Sequence, residues 1–534
     1  MPSSLVNQRL TGDGAALALL LALLLVVLSA ATAGAGDRLD AAAIYAEQCA
    51  ECHGGDRLGG TGPALLPENL DRLRKDAAVN VVTNGRPATQ MPAFGETLSP
   101  DEIGALVSLV YTPLPVPPEW TLADMRASHV LHTPLAALPD APVHDADPLN
   151  LFTVVEAGDH HATILDGDRF EPLWRFPTRF ALHGGAKYSP DGRFVYLASR
   201  DGWVSQHDLW GLVPVAEIRV GVNTRNIAVS ADGRWIMAGN TLPHTLVILD
   251  AVGLAPVKVI PVVGDKRQTS RVSAVYTAPP RQSFIAALKD IPEIWEIPYR
   301  DDPEPVPQGF VHSYEAGMTE GTFDTGPFPV RRIVLKDTLD DFFFDPEYRN
   351  LIGAARNANN GQVVNLIVGR KIAVIPLDGM PHLGSGITFD YRGAPVLATP
   401  HLDQAAVSVI DMSTWTKLKE IETLGPGFFM RSHDNSPYAW VDVFFGPHRD
   451  AIHVIDKRTL EIVKTLRPAP GKTAAHVEFT RDGRYALVSI WEDDGAIVVY
   501  DAATFEVVKR IPMRKPVGKY NVWNKITYER GTSH

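Results

Sequence analysis

A repeated hairpin phrase constrains the fold of this 534-residue chain more than any other feature. Three segments read alike: SPDGRFVYLAS at 189–199, SADGRWIMAGN at 230–240 and TRDGRYALVSI at 480–490. In each, an Asp-Gly turn leads into a run of β-branched and aromatic residues, which is typical of a β-hairpin. The first two phrases begin 41 residues apart, at 189 and 230. That spacing is typical of a four-stranded propeller blade.

A second recurring phrase points to the same architecture. An apolar strand that ends in Asp, a turn and a polar strand occur together in VILDAVGLAPVKVI, VIDMSTWTKLKEI, VIDKRTLEIVKTL and VVYDAATFEVVKRI. About 380 residues at roughly 45 per blade predict eight blades, with seven as the nearest alternative. A β-sandwich followed by another domain would not repeat its hairpin phrase over so long a stretch. We therefore predict an all-β eight-bladed propeller over residues 148–534.

The first 35 residues read as a secretory signal peptide. Arg9 precedes an apolar run over 15–31, and small residues continue to Gly36. A retained membrane anchor is the alternative, but the run is short for a span of about 20 residues. We expect a periplasmic protein without a membrane span once the peptide is removed, after Ala33 or Ala35. A net charge of -12 and the absence of a Lys/Arg-rich run argue against a nucleic acid partner.

Both cysteines of the chain lie in one motif, Cys49-Ala-Glu-Cys52-His53. Two such thiols form thioethers to haem vinyl groups, and the adjacent imidazole binds the iron. A thioredoxin-like pair is the alternative, but no βαβ pattern surrounds the motif and the His would be unexplained. We predict one covalent haem c, with His53 as its proximal ligand, in a small all-α c-type cytochrome domain over residues 36–114.

The sixth ligand of this haem and the end of its domain follow from the next segment. Met91, in Gln-Met-Pro-Ala-Phe just before the last predicted helix, is the candidate ligand, and a thioether raises the reduction potential. A His from the propeller is the alternative. The run PLPVPP at 113–118 continues neither a helix nor an inner strand. We place a linker over residues 115–147.

The propeller carries histidines where a loop or short strand could face a central channel: His183, His382, His401 and His476. Any one of them alone is more often a structural turn residue than a ligand. Glycines after His183 and around His382 would let a planar cofactor approach the backbone closely. The pattern favours a shared second site in the channel.

Four longer phrases carry a family resemblance: HDLWGLVPVAEIRVGVNTRNIAVSADGRW at 207–235, GMPHLGSG at 379–386, ATPHLDQAAVSVID at 398–411 and KPVGKYNVWNK at 515–525. A c-type domain followed by a propeller with these phrases resembles the cytochrome cd1 nitrite reductase superfamily, whose propeller binds haem d1. The resemblance extends over nearly the whole chain that follows the signal peptide. It implies a non-covalent haem d1 or dihydro-haem d1 in the channel.

The superfamily has three relevant branches: the nitrite reductase, a haem d1 assembly protein without a c-type domain, and dihydro-haem d1 dehydrogenase, which has both parts. The Cys-x-x-Cys-His motif argues against the second branch. The reductase is expected to carry a His in a Phe-Leu-His-Asp-Gly-Gly-like phrase, whereas TLDDFFFD at 338–345 has none. The resemblance therefore implies a dehydrogenase that oxidises a propionate of dihydro-haem d1 to an acrylate, in the last step of haem d1 biosynthesis.

Two other functions stay open. His312 lies in an insertion at 301–337, and its entry into the pocket would restore the reductase interpretation. A haem d1 carrier that binds without catalysing is the third hypothesis.

On the dehydrogenase interpretation, the resemblance assigns roles to the channel residues. His183 is the proximal ligand of the second iron, and His382 is its distal ligand and part of the catalytic site. His476 is the candidate base for a carbon-bound proton. Tyr520 would orient the propionate or take part in proton transfer.

Arg200 and Arg225, both beside propeller turns, are candidate bidentate contacts for the tetrapyrrole carboxylates, although ordinary surface arginines are the alternative. The resemblance implies that electrons pass to haem c and then to a soluble acceptor. It also implies transient contact with cytochrome cd1 nitrite reductase.

Overall fold

The structure is a computed structural model that describes residues 39–71, 73–86, 91–315, 318–355 and 360–527. The predicted signal peptide lies outside these residues. The N-terminal part is helical, with α1 (Ala41–Gln48), α2 (Ala50–His53), α3 (Pro67–Leu70), α4 (Lys75–Asn84) and α5 (Pro100–Val110). No helix in the described part of the chain is long and apolar enough to cross a bilayer.

Local capping explains where two of these helices begin. Asp40 precedes α1, and its carboxylate accepts hydrogen bonds from two backbone N–H groups of the first turn. Ser99 precedes α5 and forms a capping box with Glu102, as its Ser-Pro-Asp-Glu sequence predicts. Helix α5 packs on α1 and α4, and its Ile103, Leu106 and Val107 are buried. A small helical domain results.

The rest of the fold is built from antiparallel sheets. After β1 (Val130–Leu131), the strands of the first half are β2 (Leu151–Glu156), β3 (His161–Asp166), β4 (Pro172–Pro177), β5 (Lys187–Tyr188), β6 (Phe194–Ala198), β7 (Trp203–Asp208), β8 (Val213–Arg219), β9 (Asn223–Val229), β10 (Trp235–Leu242), β11 (Thr245–Asp250), β12 (Pro256–Pro261), β13 (Val272–Ala278), β14 (Ser283–Leu288), β15 (Glu293–Pro298), β16 (Val306–Glu315), β17 (Met318–Asp324) and β18 (Arg331–Val334). Those of the second half are β19 (Phe342–Phe344), β20 (Asn350–Ala355), β21 (Asn360–Asn365), β22 (Arg370–Pro376), β23 (Ile387–Tyr391), β24 (Ala394–Pro400), β25 (Ala406–Asp411), β26 (Thr416–Glu422), β27 (Met430–Ser432), β28 (Tyr438–Asp442), β29 (Ile452–Asp456), β30 (Glu461–Leu466), β31 (Ala474–Phe479), β32 (Tyr485–Ile490), β33 (Ala496–Asp501), β34 (Val507–Pro512) and β35 (Pro516–Asn521), followed by helix α7 (Val522–Ile526).

Eight of these sheets are blades, which confirms the predicted fold. Blade 1 contains β35, β2, β3 and β4. Blades 2 to 8 run in chain order as β5–β8, β9–β12, β13–β15 with β18, β19–β22, β23–β26, β27–β30 and β31–β34. The ring is closed between blades 8 and 1, because the last strand, β35, pairs antiparallel with β2 and places Tyr520 opposite Thr153.

The repeated phrases form the turns between the first and second strands of blades 2, 3 and 8. In each turn the Asp accepts hydrogen bonds from a hydroxyl two residues before it and from the backbone N–H two residues after it. The three residues are Asp191, Asp232 and Asp482. The glycine that follows has a positive φ, +73° at Gly192, which explains the Asp-Gly pair. Apolar clusters then fill the space between neighbouring blades.

The segment at 115–147, predicted as a linker, packs on blade 2. It holds helix α6 (Leu122–Ser128), and its strand β1 extends the blade by pairing with β8. Met125 on α6 is fully buried, and Trp120 donates from Nε1 to the carbonyl of Arg219 at 2.8 Å. These contacts attach the helical domain to one side of the propeller.

The insertion at 301–337 forms the hairpin β16–β17 between the third and fourth strands of blade 4. His312 lies in β16 and is paired in register with Glu320. Its side chain lies outside the described side chains, so the interpretation that depends on it stays a prediction.

Candidate functional site

The Cys-x-x-Cys-His motif occupies the α1–α2 corner of the helical domain. Cys49 precedes α2, and Cys52 and His53 belong to it; both thiols are half-buried. His53 is buried and donates from Nδ1 to the carbonyl of Pro63 at 2.7 Å. Burial lowers the pKa of His53, which favours the neutral imidazole. The hydrogen bond fixes Nδ1 as the protonated nitrogen and leaves Nε2 for a metal.

The loop after the motif packs closely on the ring of His53. A Cβ on Gly62 would lie 2.8 Å from Cε1 of His53, so only glycine allows this loop to pass so close to the ring. Met91 lies in the loop between α4 and α5, where its carbonyl accepts the N–H of Arg86 at 3.1 Å. Residues 87–90 fall outside the described residues. The ligand role of Met91 therefore stays a prediction.

The loop that follows the haem motif contacts the propeller. Arg219, at the end of β8, donates to the carbonyls of Leu58 and Asp201, and its guanidinium lies over the ring of Trp120 at 4.8 Å. The interface also has an apolar part, formed by Ala64, Leu66, Val222 and Leu242. The predicted haem c domain is thus docked directly against blades 2 and 3.

His183 lies in the loop that enters blade 2, and the sequence did not predict its partner. Its Nδ1 donates to the carbonyl of Arg225 at 2.6 Å. Nη1 of the same arginine donates to Nε2 of His183 at 2.8 Å. The Arg225 guanidinium, which was predicted to bind a carboxylate, therefore forms a hydrogen bond with the His183 nitrogen that is predicted to bind iron.

Arg200 lies close to this pair. Together with Arg225 and Asp340 it lines a polar cavity of about 40 Å³ whose other wall includes Glu68 and Asp71 of the helical domain. The two predicted arginines therefore share one charged cavity between the domains.

His382 lies in the loop between blades 5 and 6, within the Gly-Met-Pro-His phrase. Its Nδ1 donates to the carbonyl of Phe428 at 2.6 Å, and its ring lies 4.3 Å from that of Phe428. Burial lowers the pKa of His382, and the charge of Arg225 acts in the same direction, while Asp341 opposes it. Since Arg225 also bonds His183, the two predicted iron ligands belong to one electrostatic neighbourhood.

His476 and Tyr520 lie together on the inner strands of blades 8 and 1. Their ring centroids are 5.1 Å apart in an edge-on arrangement. His476 is buried, and its Nδ1 has no hydrogen-bond partner among the described residues. Burial and the neighbouring Lys519, Arg431 and Lys525 hold its pKa well below the usual value. Burial also raises the pKa of Tyr520 to about 12.

His401, the fourth histidine singled out in the sequence, has a structural environment. It is fully buried, its Nδ1 donates to the carbonyl of Asp378, and its Nε2 lies 2.9 Å from the hydroxyl of Ser408. Both nitrogens are therefore committed. It supports the loop that carries His382, because Pro381 forms a β-bridge with it.

Sequence reasoning missed most of the buried or half-buried charges near these histidines. Arg431 on blade 7 donates to Glu478 on blade 8 at 2.7 Å. Burial lowers the pKa of Lys187 to about 8 and that of Lys519 to about 7. Of these four residues, only Lys519 lies in a phrase that carries the family resemblance, the one at 515–525. The other three carry no pattern that separates them from surface charges.

One residue of the stretch predicted to correspond to the reductase's histidine phrase, Asp341, also lies near the site. Asp341 accepts a hydrogen bond from the phenol of Tyr276 at 3.0 Å and from the N–H of Phe342 at 2.9 Å. A Cβ on Gly384 would lie 2.0 Å from Asp341, so the loop of His382 packs tightly against this carboxylate. A carboxylate and a phenol thus lie beside the loop that carries His382.

Comparison with known proteins covers both domains. The family model described as Cytochrome D1 heme domain matches residues 146–317 and 318–525. The model described as Cytochrome C oxidase, cbb3-type, subunit III matches residues 37–110.

Two relatives and one solved structure are similar over most of the chain. Dihydro-heme d1 dehydrogenase of Pseudomonas aeruginosa is 55% identical over 515 residues, which are 96% of this chain and 100% of that protein. Nitrite reductase of Stutzerimonas stutzeri is 26% identical over 542 residues, covering 90% of this chain and 92% of that protein. The solved structure of dihydro-heme d1 dehydrogenase NirN in complex with DHE has a TM-score of 0.85 and 56% identity, covering 91% of this chain and 99% of that one.

Proposed function

Because this chain belongs to the cytochrome D1 heme domain family, we propose that it is a dehydrogenase that oxidises one propionate of dihydro-haem d1 to an acrylate. The reaction converts CH2–CH2–COO⁻ to CH=CH–COO⁻ and releases two protons and two electrons. Its product is haem d1, so the step is the last one in making that cofactor. The full-length similarity to a dihydro-heme d1 dehydrogenase supports this choice over the more distant nitrite reductase.

One observation carries the proposal: a basic nitrogen without a hydrogen-bond partner among the described residues lies beside a phenol, and two phenylalanines connect this pair to His382. A carrier needs ligands and cationic contacts, whereas a dehydrogenase also needs a base at the propionate. His476 would meet that need, since its buried Nδ1 has no hydrogen-bond partner in the part of the chain that the structure describes. Tyr520 lies beside it, at 5.1 Å between ring centroids.

His183 and His382 would hold the iron of the substrate. Each donates from Nδ1 to a backbone carbonyl, which orients the ring and keeps Nε2 as the coordinating nitrogen. Arg225 must leave Nε2 of His183 before iron binds there. Its guanidinium is then available, with Arg200, for a tetrapyrrole carboxylate.

His476 and Tyr520 would share the proton chemistry. The lowered pKa of His476 keeps the imidazole neutral, so a nitrogen lone pair is available for a proton from the propionate carbon. Tyr520, whose pKa is raised to about 12, stays protonated at neutral pH. It acts as a hydrogen-bond donor that orients the propionate rather than as a second base.

Cys49, Cys52, His53 and Met91 would hold haem c, which when bound supplies a one-electron acceptor next to the propeller. The direct contact of Arg219 with Leu58 keeps the two domains together.

The remaining predictions belong to the same proposal. The signal peptide over 1–35 would export the protein to the periplasm, with the cytochrome domain at 36–114, the linker at 115–147 and the haem d1-binding propeller at 148–534. A soluble protein would accept the electrons, and cytochrome cd1 nitrite reductase would receive the product in a transient contact.

The test is anaerobic incubation of the purified holoprotein with dihydro-haem d1 and a chemical oxidant, followed by absorption spectroscopy. We expect the spectrum of haem d1 to replace that of the substrate. A bound but unchanged tetrapyrrole would contradict the enzyme and favour a carrier.

Variants separate binding from turnover. His476→Ala should abolish turnover and leave substrate binding nearly intact, because His476 is not assigned as a ligand. His183→Ala should weaken binding itself. His433→Ala is the matched control, since this buried histidine contacts the carbonyl of Arg481 outside the site. Equal loss of binding and turnover in His476→Ala would contradict its assignment as the base.

A further inference from the structure

Asp442, at the end of β28 in blade 7, holds the backbone at two places in the channel. The carboxylate is buried, with 1% of its surface exposed. Its Oδ1 accepts the N–H of Phe428 at 2.7 Å and that of Phe429 at 3.0 Å. Its Oδ2 accepts the N–H of His476, on blade 8, at 3.1 Å. One side chain therefore ties blade 8 to the segment that leads into blade 7.

The residues held by Asp442 contact both histidines of the proposed site. The carbonyl of Phe428 accepts the Nδ1–H of His382 at 2.6 Å. The ring of Phe429 lies 4.7 Å from that of His476. Phe428 and Phe429 therefore lie between the two histidines, and a shift of their backbone would reorient both imidazoles.

The backbone of His476 has a conformation that needs such support. It is left-handed, with φ +53°, which L side chains rarely adopt. The ladder between β31 and β32 is irregular at this point, because the register shifts between Ala475 and Val477. The extra residue of such a bulge loses its ladder partners and re-aims its side chain.

Side chains replace the lost ladder bonds of His476. Asp442 accepts its N–H, and Nζ of Lys519 donates to its carbonyl. Lys519 is fully buried and also donates to the hydroxyl of Ser489 at 2.9 Å. A carboxylate and a lysine Nζ together hold the bulge that carries His476.

We propose that Asp442 is a positioning residue that sets His382 and His476 jointly, an assignment that rests on the proposed function of those two histidines. It touches neither the substrate nor the reacting atoms. It acts through the Phe428 carbonyl on one histidine and through the bulge on the other. Loss of the carboxylate is therefore expected to affect iron ligation and proton removal together.

Two variants of the full-length holoprotein test the assignment. Asp442→Ala removes all three hydrogen bonds. Asp442→Asn keeps the size and one acceptor oxygen for Phe428 and Phe429, but it turns an amide N–H₂ toward the N–H of His476. Asp345→Asn is the matched control, because Asp345 is also buried and accepts two backbone N–H groups, from Arg349 and Asn350 in blade 5.

The first readout is hydrogen exchange without any tetrapyrrole. In Asp442→Ala we expect faster exchange in the peptides around 428–429 and 476, and no change there in Asp345→Asn. In Asp442→Asn we expect faster exchange around 476 alone. Unchanged exchange in both Asp442 variants would overturn the proposal, and this readout does not depend on what the protein catalyses.

The second readout uses haem d1 and dihydro-haem d1. For Asp442→Asn we expect kcat to fall roughly tenfold or more, which corresponds to a barrier raised by about 1.4 kcal/mol. The dissociation constant of haem d1 should change by no more than about threefold. For Asp442→Ala we also expect a changed ferric absorption spectrum of bound haem d1, since His382 loses its orientation. Parallel behaviour of Asp442→Asn and Asp345→Asn in both quantities would overturn the assignment. Absence of turnover in the wild-type protein would contradict the proposed function instead, and leave the exchange result as the test of Asp442.

Discussion

Replacing Glu478 by Leu should lower the thermal midpoint of the propeller by about 5 °C. Arg431 donates to Glu478 at 2.7 Å, and the two side chains are only 4% and 0% exposed. Glu478 also accepts a hydrogen bond from Nδ2 of Asn524 at 3.1 Å. The substitution leaves the guanidinium buried without its carboxylate. Breaking one side of such a buried pair costs about 3–5 kcal/mol.

The shift follows from the size of the domain. Unfolding entropy is roughly 2.1 cal/mol/K per residue, so a loss of about 4 kcal/mol in a domain that spans residues 146–525 corresponds to about 5 °C. Circular dichroism at a fixed heating rate measures the midpoint.

The control for this prediction is an exposed ion pair. Asp301→Asn breaks the pair between Arg234 and Asp301, which lies in the propeller and whose side chains are 48% and 80% exposed. Such pairs contribute about 0–1 kcal/mol, so we expect a shift of about 1 °C or less. An equally small shift in Glu478→Leu would refute the reasoning that burial makes the inner pair costly to break.

Three further predictions concern other parts of the molecule. Gly62→Ala should disturb the binding of His53 to the haem c iron, because the new Cβ would lie 2.8 Å from the His53 ring. An unchanged visible spectrum of haem c would contradict this prediction. Arg219→Ala removes the bond to the Leu58 carbonyl, so a protease should cut between the domains roughly tenfold faster, as expected for a charged hydrogen bond of about 1.5 kcal/mol. Equal cleavage rates would count against this docking contact. Burial, then nearby cations, lowers the pKa of His476, so its basic form persists as pH falls through 6.5. Turnover that declines with an apparent pKa near 6.5 would exclude this imidazole as the base.

The architecture could be predicted because its signals are local. The Asp-Gly-Arg turns repeat with a blade-sized spacing, and eight blades follow from the length of the repeating region. The haem c motif is contiguous, so the sequence alone predicts Cys49, Cys52 and His53 as the residues that hold this haem. The resemblance to the cytochrome cd1 superfamily is likewise carried by unbroken phrases, and the family is confirmed by the match over 146–525.

The charged lining of the channel could not be predicted in the same way. Arg431 and Glu478 are separated by 47 residues, and neither lies in a pattern that marks it as buried. The bond between Arg225 and His183 spans 42 residues, and only the packing of blade 3 against blade 2 brings them together. Such contacts depend on the angle between blades, which strand periodicity does not encode.

The orientation of His476 could not be predicted from the sequence either, for a different reason. Its left-handed backbone interrupts a strand whose sequence, Ala-Ala-His-Val-Glu-Phe, reads as regular. The bulge is held by Asp442 and Lys519, one from the preceding blade and one from the closing strand. A tertiary contact therefore overrides the local preference and decides where this imidazole points.

The mass of the tetrapyrrole tests the central claim most directly. The purified holoprotein is incubated anaerobically with dihydro-haem d1 and a chemical oxidant, and the tetrapyrrole is then extracted and weighed by mass spectrometry. We predict the loss of two hydrogen atoms, from one propionate, in the wild-type protein and no loss in His476→Ala. A wild-type protein that binds dihydro-haem d1 and returns it with its mass unchanged would contradict the account.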